Sequence, residues 1–349
     1  MKVIIPCAGS SNRFPNMRPK WMLTHPDGDM MVKKSIAGLN ISQENVIVTI
    51  LNEHEEKYDI IRGLKENMGE KIRIVVLDEK TKSQPETVYL TLKKTGINES
   101  FLVKDSDNMF SFNLKDENVN YVCYSDIHEH EEINPGNKSY VKLNEQDIIM
   151  DIVEKKVISS FFNVGGYYFR NPKIFMESFE KLNEKRNNNH SELYVSHIIQ
   201  DLITNKGEIF FGKKISDYFD WGTLNEWLKY TKKFRTFFFD LDGLLFKNAS
   251  QHFKPRWHEA EPIKENLDVI KKLSEDQHSQ LFFVTSRPEK YRELTEKQLN
   301  KLKIKYKSLI MGCYHAKRII INDFSNTTGY PTCEAINILR DSEDLKKYV

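Results

Sequence analysis

Two kinds of side chain in this sequence are spaced for work on phosphate: cations on a loop of small residues near the start, and carboxylates where apolar runs end. Val3-Ile4-Ile5 is a short apolar run that reads as a buried strand. Ala8-Gly9-Ser10-Ser11-Asn12-Arg13 breaks the pattern, and small residues there let the backbone approach a ligand with its N–H groups turned inward. Arg13 can grip phosphate oxygens with its planar fork, Lys20 adds a point charge, and Pro15 and Pro19 stiffen the loop. A Gly/Ser turn with two solvated cations would use the same residues. After residues 101–104 comes Asp105-Ser106-Asp107-Asn108. Clustered carboxylates at a strand end suit Mg²⁺, a hard cation that takes oxygen ligands and keeps several waters, although Asp/Asn turns are common without any metal. Further on, a hydrophobic run ends in Asp240-Leu241-Asp242-Gly243, another in Thr285-Ser286-Arg287-Pro288, and a third, residues 318–321, in Asn322-Asp323.

These residues need elements to hold them. Strand-like runs at 3–6, 46–51, 72–76 and 101–104 alternate with helical patterns at 31–39, 54–67 and 86–94. Such alternation argues for an α/β fold with a mainly parallel sheet, in which ligands bind outside the carboxyl ends of strands. Ser83-Gln84-Pro85-Glu86-Thr87 opens a helix, with Ser83 or Thr87 as cap and Glu86 in the first turn. Residues 161–169 read as an aromatic-rich strand, in which Gly165 and Gly166 allow close backbone approach. Helical spacing returns at 192–203 and, after Asp220-Trp221-Gly222-Thr223, at 224–232. A second alternation starts at Phe234, so the expected domains are 1–233 and 234–349, with one last strand at 335–338.

The bulk properties fit that division. A chain of 349 residues is long enough for two domains with separate cores. With 52 basic and 50 acidic residues the formal charge is +2, which points to neither nucleic acid nor a membrane surface. The four cysteines, Cys7, Cys123, Cys313 and Cys333, form no C-x-x-C pair, which argues against a zinc site or a disulfide framework. No leader is expected, since Met1-Lys2 runs straight into the first strand, and no apolar run approaches membrane-spanning length. The expected location is a reducing cytoplasm.

Neither dinucleotide-loop G-x-G-x-x-G nor phosphate-loop G-x-x-x-x-G-K-[ST] stands at the start. The combination of first strand, AG-x-S-x-R-F and P-K instead resembles the opening of the sugar-phosphate nucleotidyltransferases, or NDP-sugar pyrophosphorylases, with Ser11 where that family commonly has a second glycine. The resemblance implies further roles. Ala8, Gly9, Ser10 and Ser11 would line the nucleotide, and Gln84 would read the base through an amide that both donates and accepts. Asp107 would be the first Mg²⁺ ligand, with Asp105 a less certain neighbour, and Asp220, in D-x-G-T, the second. Glu154 and Lys155, an E-K pair, would hold acceptor hydroxyls and phosphate, and Gly166 would lie against the sugar or base. A capped helix accounts for the Gln84 segment equally well, and a charged strand end accounts for Glu154-Lys155. The implied reaction joins a nucleoside triphosphate to a phosphorylated small molecule and releases pyrophosphate, with Arg13 and Lys20 on the phosphates.

The second half resembles the haloacid dehalogenase superfamily. There Asp240 would be the nucleophile, Asp242 the general acid and base, and Thr285 a phosphate-holding hydroxyl. Lys317, with Lys307 behind it, would be the lysine of the third motif, and Asp240, Asp242 and Asp323 would surround Mg²⁺. Leu244 stands where a threonine is usual, and Asp323 is a single carboxylate where many members have two. The spacing leaves no room for a large cap. The two resemblances together imply two Rossmann-like α/β domains: a nucleotidyltransferase domain with a mixed, glycosyltransferase-A-like sheet, and a dehalogenase-like domain with a parallel sheet. They imply one Mg²⁺ site per domain and a bifunctional enzyme of surface-glycan supply, a homo-oligomer being compatible. Two other readings stay open: a transferase whose second domain only binds or oligomerises, and a nucleotide sensor without turnover.

Overall fold

The computed structural model describes residues 1–113, 115, 117–130, 133–186, 192–324 and 330–349. Two compact units result, Met1–Trp227 and Leu228–Val349.

The first unit carries strands β1 (Lys2–Pro6), β2 (Val46–Leu51), β3 (Arg73–Leu77), β4 (Phe101–Lys104), β5 (Asn108–Ser111), β6 (Asn120–Asp126), β7 (Ser139–Leu143), β8 (Ile149–Glu154), β9 (Phe161–Phe169), β10 (Phe210–Lys214) and β11 (Ser216–Asp220). Between them run α1 (Met31–Ser35), α2 (Asn52–Tyr58), α3 (Ile60–Met68), α4 (Gln84–Thr95), α5 (Pro172–Arg186) and α6 (Val195–Lys206). The main sheet is nine-stranded, in the order β10-β6-β9-β4-β1-β2-β3, with β7 on β9 and β8 on β7. It is mixed: β1, β2, β3 and β4 pair in parallel, as do β6 and β10, whereas β9 runs antiparallel to β4, β6 and β7. β5 and β11 form a separate antiparallel ribbon.

Alternation along each strand explains why both faces are covered. In β1, Ile4 joins one core while Val3 and Ile5 join the other; in β4, Phe101 and Val103 face one way and Leu102 the other. A strand side-chain period of two gives each buried strand one row for each layer of helices.

α7 (Leu224–Thr231) contains the division between the units, after Trp227. The second unit has β12 (Arg235–Phe239), α8 (Lys264–Glu275), β13 (Ser279–Val284), α9 (Arg292–Lys301) and β14 (Ser308–Ile310). The sheet is parallel, in the order β12-β13-β14, over a core that includes Phe239, Leu241, Ile270, Phe283 and Leu299.

Three expectations need correction. The helical pattern at 54–67 is two helices, because Asp59 takes the left-handed conformation at φ 48° and ends the first; a short polar side chain tolerates that geometry. Residues 318–321 form no strand, and Ile319 and Ile321 are 75% and 91% exposed. Residues 335–338 are likewise not a strand. β-Branched composition marks a segment that suits a pleated surface, but a strand also needs a neighbour to share its hydrogen bonds. Among the described residues, no helix is long and apolar enough to cross a membrane.

Candidate active site

The site grows from the carboxyl end of β1. Cys7 N–H donates to Thr49 O at 2.8 Å, and Ala8 O accepts from Thr81 Oγ1 at 3.2 Å, so the start of the loop is tied down. The chain then emerges: Gly9, Ser10 and Arg13 are exposed, and nothing lies within 4 Å of where a Gly9 Cβ would be. Ser11 turns the loop at φ 48°, and its Oγ accepts from Lys20 N at 3.3 Å, which closes the segment between the two cations.

Lys20 Nζ reaches the Asp107 carboxylate in a short ion pair. Asp107 follows β4 in the turn that leads to β5. In the ribbon, Asp220 of β11 stands opposite Asn108, and Trp221 N donates to Asp107 O at 2.8 Å. This register brings together two aspartates that are remote in sequence. A Cβ on Gly222 would lie 3.2 Å from Asp220 Oδ1, 3.4 Å from Asp107 Oδ2 and 3.7 Å from Arg13 Nη1, so both carboxylates and the guanidinium surround one point. Burial alone would raise the Asp107 carboxyl, but Lys20, Arg13 and Lys138 outweigh it and hold it down to about 2.

The turn that carries Asp107 is fastened from inside. Lys104 is fully buried, and its Nζ donates to Asp105 O at 2.8 Å and to Asn108 O at 3.0 Å. Burial pulls this ammonium down to about 8. On the other side, Gly165 adopts φ +76°, and a side chain there would collide with the Asp105 carboxylate and the Asn108 amide. Asp105 is pushed up to about 6, first by burial and then by the neighbouring Asp107.

The other expected residues have protein partners of their own. Gln84 lies at the start of α4, capped by Ser83, but its Nε2 donates to Asp105 Oδ1 at 2.5 Å, so the amide is spent on the carboxylate turn. Gly166 is buried, and a Cβ there would meet Phe110 Cζ at 2.8 Å and Cys123 Cβ at 3.0 Å. Its missing side chain makes room for these two core residues. Glu154 accepts from Ser139 Oγ at 2.5 Å and Ser196 Oγ at 2.9 Å. Lys155, at φ 54°, donates to Tyr194 OH at 2.7 Å.

One cation was not signalled by any motif. Lys138, just before β7, pairs with the Asp220 carboxylate and donates to Tyr218 OH at 2.8 Å. Its carbonyl accepts from Lys155 N at 3.0 Å, so Lys138 stands between the Glu154-Lys155 pair and the two aspartates. The only sequence cue would have been the β7–β8 pairing, in which Ser139 opposes Glu154.

Among the described residues, no group of three His, Cys, Asp or Glu side chains stands ready to hold a metal. Asp107 and Asp220 nevertheless fit Mg²⁺, which needs hard oxygen donors and draws its remaining ligands from water and phosphates. Their present partners are Lys20 and Lys138, whose side chains are 21% and 13% exposed.

In the second unit, Asp240 follows β12 and is paired with Arg318 Nη1 at 3.0 Å. Asp242 accepts from Arg287 Nε at 2.8 Å and Nη2 at 2.6 Å, a two-pronged clamp. Arg287 has no exposure, and its Nη1 also donates to Gln298 Oε1 at 2.7 Å. Thr285 is buried, and its Oγ1 accepts from Arg287 N at 3.1 Å. Lys307, Lys317 and Asp323 are exposed, the last two on irregular chain. Arg318, rather than Lys317 or Asp323, meets Asp240, because residues 318–321 do not form the strand that would carry Asp323 to a sheet end.

No family model matches the chain, and no curated protein matches it. Solved structures do. A nucleoside-diphosphate-sugar pyrophosphorylase from Vibrio cholerae RC9 is 21% identical, with a TM-score of 0.55 over 65% of this chain and 98% of that one. An inositol-1-phosphate CTP transferase from T. maritima is 16% identical, with a TM-score of 0.50 over 64% of this chain and 90% of that one. A UDP-glucose pyrophosphorylase is 18% identical, with a TM-score of 0.50 over 66% and 98%. This likeness shows the fold: a mixed α/β sheet of the nucleotidyltransferase kind.

Proposed function

We propose that the first unit transfers a nucleotidyl group from a nucleoside triphosphate to a phosphorylated small molecule, with release of pyrophosphate. The observation that carries this reading is the meeting of Asp107, Asp220, Arg13 and Lys20 beside one exposed loop, at strand ends of a nucleotidyltransferase-like fold. A phosphate oxygen of the acceptor attacks the α-phosphorus; the bond from that phosphorus to the bridging oxygen of pyrophosphate breaks, and pyrophosphate carries the electron pair away. Arg13 and Lys20 bind the phosphates and offset the negative charge that grows on the leaving group. Asp107 and Asp220 would hold Mg²⁺, which when bound acts as a Lewis acid toward the phosphate oxygens. Glu154 and Lys155 would face the acceptor. A screen of nucleoside triphosphates against sugar phosphates and phosphorylated alcohols, read as pyrophosphate release with and without Mg²⁺, tests the reading. No release from any pair would sink it.

For the second unit we propose phosphate-ester hydrolysis with Asp240 as nucleophile, on a precursor or product of the first reaction, in a route to activated sugars for surface glycans. Its support is Asp240 at a strand end, 40% exposed, with Asp242 two residues on. A binding or oligomerisation module is the second reading, favoured by the clamp of Arg287, which engages both oxygens of Asp242 although burial still raises that carboxyl above its ordinary value. Phosphate release from p-nitrophenyl phosphate by the full chain, lost in Asp240→Asn, supports hydrolysis; no release leaves the binding module.

A further inference from the structure

Lys138 belongs to none of the sequence motifs, yet its ammonium occupies the middle of the site. The side chain is 13% exposed. The ammonium contacts the Asp220 carboxylate and Tyr218 OH, and it lies 5.3 Å from the Tyr218 ring centre and 5.9 Å from that of Phe162. Both rings are buried. Tyr218 holds the ammonium through its hydroxyl, while Asp220 supplies the counter-charge. Lys138 also acts on Asp107, whose carboxyl it helps to hold down, so its charge is felt by both aspartates.

A divalent cation on Asp220 and an ammonium on the same carboxylate compete. Metal binding therefore deprives Lys138 of its partner. A poorly hydrated ammonium left without an anion is costly, and the nearby alternatives are few. Glu154, next to it through the β7–β8 register, accepts from Ser139 and Ser196 on Oε2. Lys155 is the adjacent cation, since Lys138 O accepts from Lys155 N at 3.0 Å, so a phosphate held by Lys155 in the proposed reaction would lie within the field of Lys138.

We propose that Lys138 is a positioning residue that exchanges partners: it neutralises Asp220 in the metal-free protein and, once a divalent cation takes Asp220, it holds the phosphate of the acceptor. This rests on the nucleotidyl-transfer reading for the identity of the acceptor, but the exchange itself is tested without turnover. The consequence is an order of events in which metal arrival frees the cation that receives the acceptor.

The test uses Mn²⁺ as the probe, followed by electron paramagnetic resonance on the full chain, and then inorganic phosphate titrated calorimetrically into the Mn²⁺-loaded protein. No polyphosphate is added, because it would chelate the Mn²⁺ probe, and phosphate held by the Arg13–Lys20 loop is common to all variants. In Lys138→Met and Lys138→Gln, Mn²⁺ binding tightens about tenfold while phosphate binding weakens about tenfold; Lys138→Arg restores phosphate binding. Opposite signs are the signature, since a merely structural lysine would weaken both or neither. Mn²⁺ binding that is unchanged or weaker in both neutral variants overturns the proposal, as does unchanged phosphate binding. Asp220→Asn, which removes the shared carboxylate, must abolish Mn²⁺ binding, so that the free-ion signal is not diminished by the protein. Absence of pyrophosphate release in the wild-type screen would refute the proposed reaction and leave this exchange to stand or fall on its own binding data.

Discussion

Each unit places two aspartates near a strand end and neutralises both with cations, yet the two pairs are built for different purposes. In the first unit the partners are lysines on flexible stems, Lys20 and Lys138, each partly open to solvent. In the second, Asp242 is gripped by an arginine with no exposure whose remaining nitrogen, Nη1, serves Thr295 and Gln298. Lys20 leaves Asp107 at the cost of one ion pair and Lys138 keeps Tyr218 OH when it leaves Asp220, whereas Arg287 cannot leave Asp242 without stranding several buried hydrogen-bonding groups. The nature of the cation thus decides whether a carboxylate can be handed over to a metal. Asp240 with its exposed Arg318 lies between the two cases.

The largest expected effect breaks the comparison on the first side. Asp107→Asn or Asp220→Asn should lower pyrophosphate release by about a thousandfold or more, with the circular-dichroism spectrum unchanged. Asp242→Asn should leave pyrophosphate release within about twofold. Equal losses from both units would mean that the carboxylates of the second unit serve the first reaction, and the distinction drawn above would be wrong.

The next effect concerns stability. Arg287→Met leaves the Asp242 carboxylate buried without a partner, and urea unfolding of the second unit should show a loss of about 3–5 kcal/mol. Lys20→Met should cost only about 1 kcal/mol, since Asp107 keeps Arg13 and Lys138 and has access to water. If the double variant Arg287→Met, Asp242→Leu recovers most of the loss, the clamp is a packing solution rather than part of a reaction. Similar costs for the two single variants would remove the contrast between lysine and arginine.

Much of the first site was legible because it depends on local features: a strand ending in small residues, a cation on the loop, an aspartate after the next strand. The convergence of Asp107 and Asp220 depended on a ribbon register that a single sequence does not display, and it entered only through the family resemblance. Lys138 was missed for the same reason, since nothing in Asn137-Lys138-Ser139 marks it until the β7–β8 hairpin sets it beside Glu154. Gln84 and Gly166 show the converse. Their residue types suit a ligand, but the fold uses one to satisfy Asp105 and the other to admit Phe110 and Cys123. In the second unit the run of isoleucines at 319–321 promised a strand that does not form, and Asp323 consequently has no sheet end to stand on.

The smallest effect sharpens the comparison by isolating the third carboxylate of the first unit, which has no ammonium partner on its side-chain oxygens among the described residues. Asp105 is pushed up to about 6 by burial and by Asp107, whereas an unfolded aspartate titrates near ~3.9. Between these values the folded chain binds more protons than the unfolded one, so stability from this group is fully present below about 4 and is lost as pH rises through about 6. Asp105→Asn removes that loss while keeping an oxygen for Gln84 to bond. In metal-free protein, the stability of the variant relative to wild type should therefore improve by about 1–3 kcal/mol between pH 4 and pH 7. Urea midpoints measured at both pH values check this, and the subtraction cancels the titrating groups remote from Asp105, leaving Lys104 and Asp107 as the neighbours that respond to the substitution. Adding Mg²⁺ should shrink the difference, because a divalent cation on Asp107 screens the charge that raises Asp105. Parallel pH curves for the two proteins would mean that Asp105 is ionised in the folded state throughout, and that the turn carries its charges unaided by a retained proton.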